Sequence, residues 1–147
     1  MKKILPPTYF ATCLIIAAVL HYLLPIKQII YYPINLLGFL FFVIGGILNI
    51  WTDQLFKKNK TTVKPGEKPS VLIQTGPFKI SRNPMYLGMS ILLIGIGFIL
   101  GSVSSFIGVF LFVATMEIAF ITQEERFMQE QFGEEYLAYK KKVGRWI

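Results

Sequence analysis

Cysteine, histidine and charge are all scarce in this chain. Its 147 residues include one cysteine and one histidine. The single thiol, Cys13, lies in an apolar run and excludes a disulfide framework within the chain. His21 has no partner at ligand spacing, so no metal site is expected. Charged residues make up only 16% of the chain, against 54% hydrophobic. Mean hydropathy is +0.56. A soluble domain of this size normally carries a more polar surface, so the composition points to an integral membrane protein. Strict apolar/polar alternation is also missing. Continuous apolar runs argue for helices, which satisfy their backbone groups internally in lipid. No internal repeat or low-complexity tract stands out.

Four apolar segments are present, roughly Thr8 to Leu24, Ile34 to Trp51, Pro84 to Leu100 and Ser104 to Ile121. Each is about 17–20 residues, enough for a helix to cross roughly 30 Å of hydrocarbon. Basic residues precede the first segment, but no small-x-small cleavage site follows it. It is therefore expected to be a span rather than a signal peptide. The expected fold is all-α, one membrane domain over 1–147. It has a polar loop over 53–83 and an amphipathic tail over 123–147.

Orientation follows from the basic residues. Of 15 Lys and Arg, only Lys27 falls in the connection between the first two segments. The others flank the opposite ends, so those ends, with both termini, are expected in the cytosol. The net charge of +7 then reflects cytosolic basic loops rather than nucleic-acid binding. Leu100-Gly101-Ser102 allows only a tight turn, which makes the last two spans an antiparallel hairpin. The 53–83 loop is Lys-rich and long enough to suggest function. Within it, Val71-Leu72-Ile73 is an apolar run able to cover the hairpin mouth. Beyond the fourth span, Gly133 is a plausible helix break. The segment after it is acidic at its start and basic at its end, as the helix dipole favours.

The chemistry-bearing residues converge on one end of that hairpin. Arg82 and Asn83 precede the third span, and Glu124 and Glu125 follow the fourth. Each also has an ordinary reading. Asn83-Pro84 is a good helix start. Arg82 could anchor to lipid headgroups, and Glu124-Glu125 could be a solvated helix end. Gly45-Gly46 and Gly95-Ile96-Gly97 read as close helix packing, not as phosphate loops. Glu117 lies more than a turn inside the fourth span, where an ionisable residue is a functional candidate by default. It could equally pair with Arg82 or Lys79. A seven-residue spacing puts it on about the same helix face as Glu124.

The run Gly76-Pro77-Phe78-Lys79-Ile80-Ser81-Arg82-Asn83-Pro84-Met85-Tyr86-Leu87-Gly88, the pair Glu124-Glu125, and the stretch from Phe132 to Val143 occur in that order. Together they resemble the isoprenylcysteine carboxyl methyltransferases, which belong with the phospholipid methyltransferases. The resemblance covers roughly Ser70 to Val143. It implies a membrane methyltransferase that uses S-adenosylmethionine and acts on a lipophilic or small acceptor in a membrane, with a prokaryotic cytoplasmic membrane as the expected location. The cofactor contacts it implies are Val71, Leu72, Ile73, Phe78, Asn83, Pro84, Tyr86 and Glu124. Arg82, Glu117 and Glu125 are the candidate catalytic residues. The carboxyl methyltransferases usually have His at the position of Asn83. They also carry a substrate-binding Arg where this chain has Phe120. These departures turn attention to a phospholipid or amine N-methyltransferase on the same fold. A membrane scaffold without enzymatic activity is the other alternative.

Overall fold

The computed structural model describes residues 5–61 and 69–147. Lys2, Lys3, Lys64, Lys68 and the Pro65-Gly66 pair lie outside the described residues. Five α-helices carry the described fold: α1 (Pro6–Leu23), α2 (Leu37–Lys58), α3 (Pro84–Leu100), α4 (Ile107–Met116) and α5 (Thr122–Lys142). Short 3-10 turns at Ile34–Leu36, Gly76–Lys79 and Val103–Phe106 lead into them. A π-helical turn, Glu117–Ile121, joins α4 to α5. The described residues contain no strand, only an isolated bridge between Gln28 and Ser102. The chain is an all-α membrane protein. Pro6–Leu23, Ile34–Lys58 and Val103–Lys142 are long and apolar enough to cross a bilayer. The apolar α3 has 17 residues, about 26 Å at the usual helical rise.

Glycines set the helix pairing. α2 and α3 run antiparallel in close contact, with Gly38 against Gly95 and Gly45 against Gly88. A Cβ added to Gly45 would stand 2.7 Å from the Gly88 carbonyl oxygen. Only hydrogen fits there, and in lipid such close packing is what drives association. Gly46, expected to share this role with Gly45, faces open space instead. One residue along a helix turns about 100°, which carries Gly46 off the seam. α1 packs on α4, where Gly108 meets the Cys13 carbonyl and Ala17. Leu93, Phe112, Met116 and Ile121 fill the core between α1, α3 and the α4–α5 rod.

The two ends of the bundle differ. At one, Gly101 takes the left-handed conformation (φ 77°) that ends α3. Its carbonyl accepts from the Ile29 and Ile30 amides at 2.9 and 3.0 Å. His21 Nδ1 lies 2.9 Å from Ser102 Oγ. At the other end, α2 runs past Trp51 to Lys58, so the polar loop starts later than Asp53. Asp53 pairs with Lys57 one turn on, at 2.6 Å. Trp51 and Leu55 flank Gly76, and the Phe56 ring meets Phe78 edge-on at 5.5 Å. Those tertiary contacts hold the polar extension in the helix.

Candidate functional site

A cleft opens at this second end, between the 69–83 segment, the start of α3, the end of α2 and α5. Its far wall is set by two backbone breaks. The first is the π-turn. It spends an extra residue on one turn of the rod, so Glu117 shares a face with Glu125 rather than with Glu124. The spacing argument for Glu117 and Glu124, valid for a regular helix, fails for that reason. The second break is Gly133, whose φ of 50° and ψ of −123° are non-helical. It redirects the end of α5 so that Tyr136 and Tyr139 are buried against Ile73 and Phe78. The Tyr139 hydroxyl donates to the Phe78 carbonyl at 2.6 Å.

Of the residues singled out in the sequence, Val71, Ile73, Phe78, Arg82, Asn83, Pro84, Tyr86, Glu124 and Glu125 line this cleft. Leu72 does not; it is partly buried and packs against the Ile73 and Phe78 cluster. Glu117 does not line it either. Its carboxylate pairs with Arg145 and accepts from the Trp146 indole at 3.0 Å, not with Arg82 or Lys79. Phe120 is buried between Tyr9 and Tyr86, with ring centroids 5.6 and 6.3 Å away.

Sequence reasoning missed Thr52 and Phe56 from α2, Phe127, Met128, Tyr136 and Tyr139 from α5, and the segment after α5. Tyr136 and Tyr139 stand three residues apart on the last helix, a spacing that puts both rings on one face. That segment folds back along the cleft. The Gly144 carbonyl accepts from the Arg82 amide at 3.0 Å. The Arg145 carbonyl accepts from Ser81 Oγ at 3.2 Å and Asn83 Nδ2 at 2.9 Å. Asn83 therefore sits at the N-cap position without capping α3 by its side chain, while Pro84 does begin the helix.

Two charged groups in the cleft are incompletely matched. Among the described residues, Glu124 has no cationic partner; its one side-chain contact is a hydrogen bond from the Tyr86 hydroxyl at 2.8 Å. Burial, opposed by that bond, pushes the Glu124 carboxyl up to about 7. Arg82 has a buried side chain and gives one nitrogen, NH2, to Glu125 at 2.9 Å. Among the described residues, its buried Nε and NH1 have no hydrogen-bond partner. Glu125 is the opposite of Glu124. Burial alone would raise its carboxyl, but the Arg145 hydrogen bonds and the Arg82, Arg145 and Lys140 charges outweigh it. They hold Glu125 below the usual carboxylate range, which makes it a poor proton acceptor. Among the described residues, no cluster of metal-ligating side chains occurs.

The family model for phospholipid methyltransferase matches residues 34–135. An uncharacterized protein of Haemophilus influenzae is 35% identical over 63 residues, covering 43% of this chain and all of that protein. The protein-S-isoprenylcysteine O-methyltransferase of Saccharomyces cerevisiae is 38% identical over 79 residues, 53% of this chain and 33% of the enzyme. The solved structure of a eukaryotic intramembrane Ras methyltransferase, isoprenylcysteine carboxyl methyltransferase, superposes with a TM-score of 0.71 at 22% identity. It covers 96% of this chain, which spans 51% of that structure. That likeness is one of fold. The matched region holds the α2–α3 pair, the Arg82-Asn83-Pro84 turn and Glu124-Glu125, the elements that build most of the cleft, and the chain belongs to the phospholipid methyltransferase family.

Proposed function

We propose that this chain is an S-adenosylmethionine-dependent membrane methyltransferase whose cleft holds the cofactor and whose acceptor is lipophilic. One observation carries the reading. Among the described residues, the cleft offers a half-buried carboxylate without a cation, Glu124, and a buried guanidinium with two nitrogens to spare, Arg82. Buried charges left this way are costly unless a ligand completes them. A ligand end carrying both ammonium and carboxylate is the complement of the pair. The amino-acid end of S-adenosylmethionine has that chemistry, so the residues present fit the cofactor.

When bound, S-adenosylmethionine supplies a methyl group already activated by its sulfonium. The protein's task is then positioning and exclusion of water. Glu124 holds the ammonium and Arg82 the carboxylate through charge-assisted hydrogen bonds. Phe56, Phe78, Tyr136 and Tyr139 supply aromatic faces for a flat base and for a cation. Ile73 and its neighbours close the cleft on the side of the basic loop.

The acceptor favoured by this geometry is a neutral amine of a lipid headgroup. Phe120 leaves no cation at the position where the carboxyl methyltransferases bind their substrate. The exposed cations of the tail suit an anionic membrane surface instead. Glu117, paired with the Arg145 charge and hydrogen-bonded by the Trp146 indole, plays no part in repelling acidic acceptors. The test is incubation of the purified chain in nanodiscs with methyl-labelled cofactor, phosphatidylethanolamine and N-acetyl-farnesylcysteine, followed by mass spectrometry. Label on the headgroup amine supports this reading. Label on the farnesylcysteine carboxylate returns the chain to carboxyl methylation, and no label on any lipid or thioether removes the enzymatic reading.

A further inference from the structure

The segment after α5 holds a residue whose guanidinium reaches the cleft only through another side chain. Arg145 grips Glu125 as a fork: its Nε donates to Oε1 at 3.0 Å and its NH2 to Oε2 at 2.7 Å. Its remaining nitrogen, NH1, goes to Glu117. Lys140 Nζ adds a weaker contact to Oε2, at 3.7 Å. With both its oxygens engaged, Glu125 has room for only one nitrogen of Arg82, at Oε1. An Arg and a carboxylate left alone prefer two parallel hydrogen bonds. That arrangement would draw a second Arg82 nitrogen away from the cleft.

We propose that Arg145 is a positioning residue that occupies the fork site of Glu125 and so keeps Arg82 Nε and NH1 available to an anionic group in the cleft. The proposal rests on the reading of the cleft as the cofactor site. Glu117 and Trp146 have a part in it. They fix the outer edge of the Arg145 guanidinium, which gives the carboxylate deep in the rod a role outside proton transfer. The π-turn is what brings Glu117 and Glu125 onto the one face that a single arginine can span. Lysine could not replace Arg145, because a single ammonium cannot fork.

The experiment is calorimetric titration of the full chain in detergent with two ligands. S-adenosylhomocysteine carries the amino-acid end; methylthioadenosine shares the nucleoside and thioether but lacks that end. In Arg145→Lys and Arg145→Ala, affinity for S-adenosylhomocysteine is expected to fall about tenfold or more, the scale of a charge-assisted bond. Affinity for methylthioadenosine is expected to stay unchanged, which also reports that the cleft is intact. In an Arg82→Gln background, removing Arg145 is expected to cause no further loss. Equal losses for both ligands would mean that Arg145 only supports the fold, and would overturn the proposal. So would full affinity in Arg145→Lys, or additive losses in the double variant. If the unaltered chain binds neither ligand, the cofactor reading itself fails and the proposal falls with it, an outcome distinct from the others.

Discussion

At the scale of single residues, two carboxylates adjacent in sequence have opposite environments. Glu125 is held ionised by three cations, whereas Glu124 is half-buried with, among the described residues, only the Tyr86 hydroxyl bonded to its carboxylate. The pH dependence of ligand binding should therefore follow Glu124. An ammonium beside it favours the carboxylate, so its pKa in the complex lies below the value of about 7 in the free cleft. Affinity for S-adenosylhomocysteine is then full above that pH and falls as pH drops through it, by up to about tenfold per unit. Calorimetry across roughly pH 5.5 to 8.5 reads this directly, and Glu124→Gln should abolish the slope while weakening binding by about 1.5–3 kcal/mol. Tyr86→Phe removes the one hydrogen bond that opposes burial. The midpoint should move to higher pH in that variant; a midpoint that stays put would detach Tyr86 from the titrating group. The convergence of Arg82, Glu124 and Glu125 on one spot was legible in the sequence, because each abuts a well-marked apolar segment. Arg145 was not. It stands 20 positions from Glu125, beyond a helix break, and nothing local marks it as the partner of a carboxylate inside the rod.

At the scale of elements, α2 and α3 share the most extensive contact among the described elements, and its geometry rests on glycine. Gly45→Val should force the helices apart, costing about 1–3 kcal/mol as overpacking does. Gly46→Ala, one position along, meets nothing within 4 Å and should be neutral or mildly stabilising, since Gly is about 0.5–1 kcal/mol worse than Ala within a helix. Thermal unfolding in detergent separates the two; equal effects would refute the assigned seam. The limits of α3 could be read from Asn83-Pro84 and Gly101, residues with strong local preferences. The end of α2 could not. Lys57, Lys58 and Asn59 look like loop, and only packing of Leu55 and Phe56 on the 73–78 segment keeps the helix going. The π-turn was equally hidden, since Glu117-Ile118-Ala119-Phe120-Ile121 carries no composition that separates it from a regular turn. That single turn decides which glutamate faces which partner.

At the scale of the molecule, the fold divides function between two ends. The end with Lys27, His21, Gly101 and the buried Ser102, Ser104 and Ser105 is a polar knot that ties α1 to the hairpin. The other end holds the cleft and the remaining described basic residues. By the positive-inside preference the cleft end is expected to face the cytosol. Cysteine labelling in a Cys13→Ala background tests this: a probe at the exposed Lys27 should react from outside and one at the exposed Lys141 from the cytosol. Reversed labelling would invert the topology and remove the cleft from a cytosolic cofactor. The central claim is that the cleft binds a ligand with a zwitterionic amino-acid end. Its most direct test is calorimetric titration of the purified chain with S-adenosylhomocysteine, beside the Arg82→Gln, Glu124→Gln double variant. The account predicts saturable one-to-one binding by the unaltered chain and its loss in the double variant. Binding of equal strength by both proteins would contradict it.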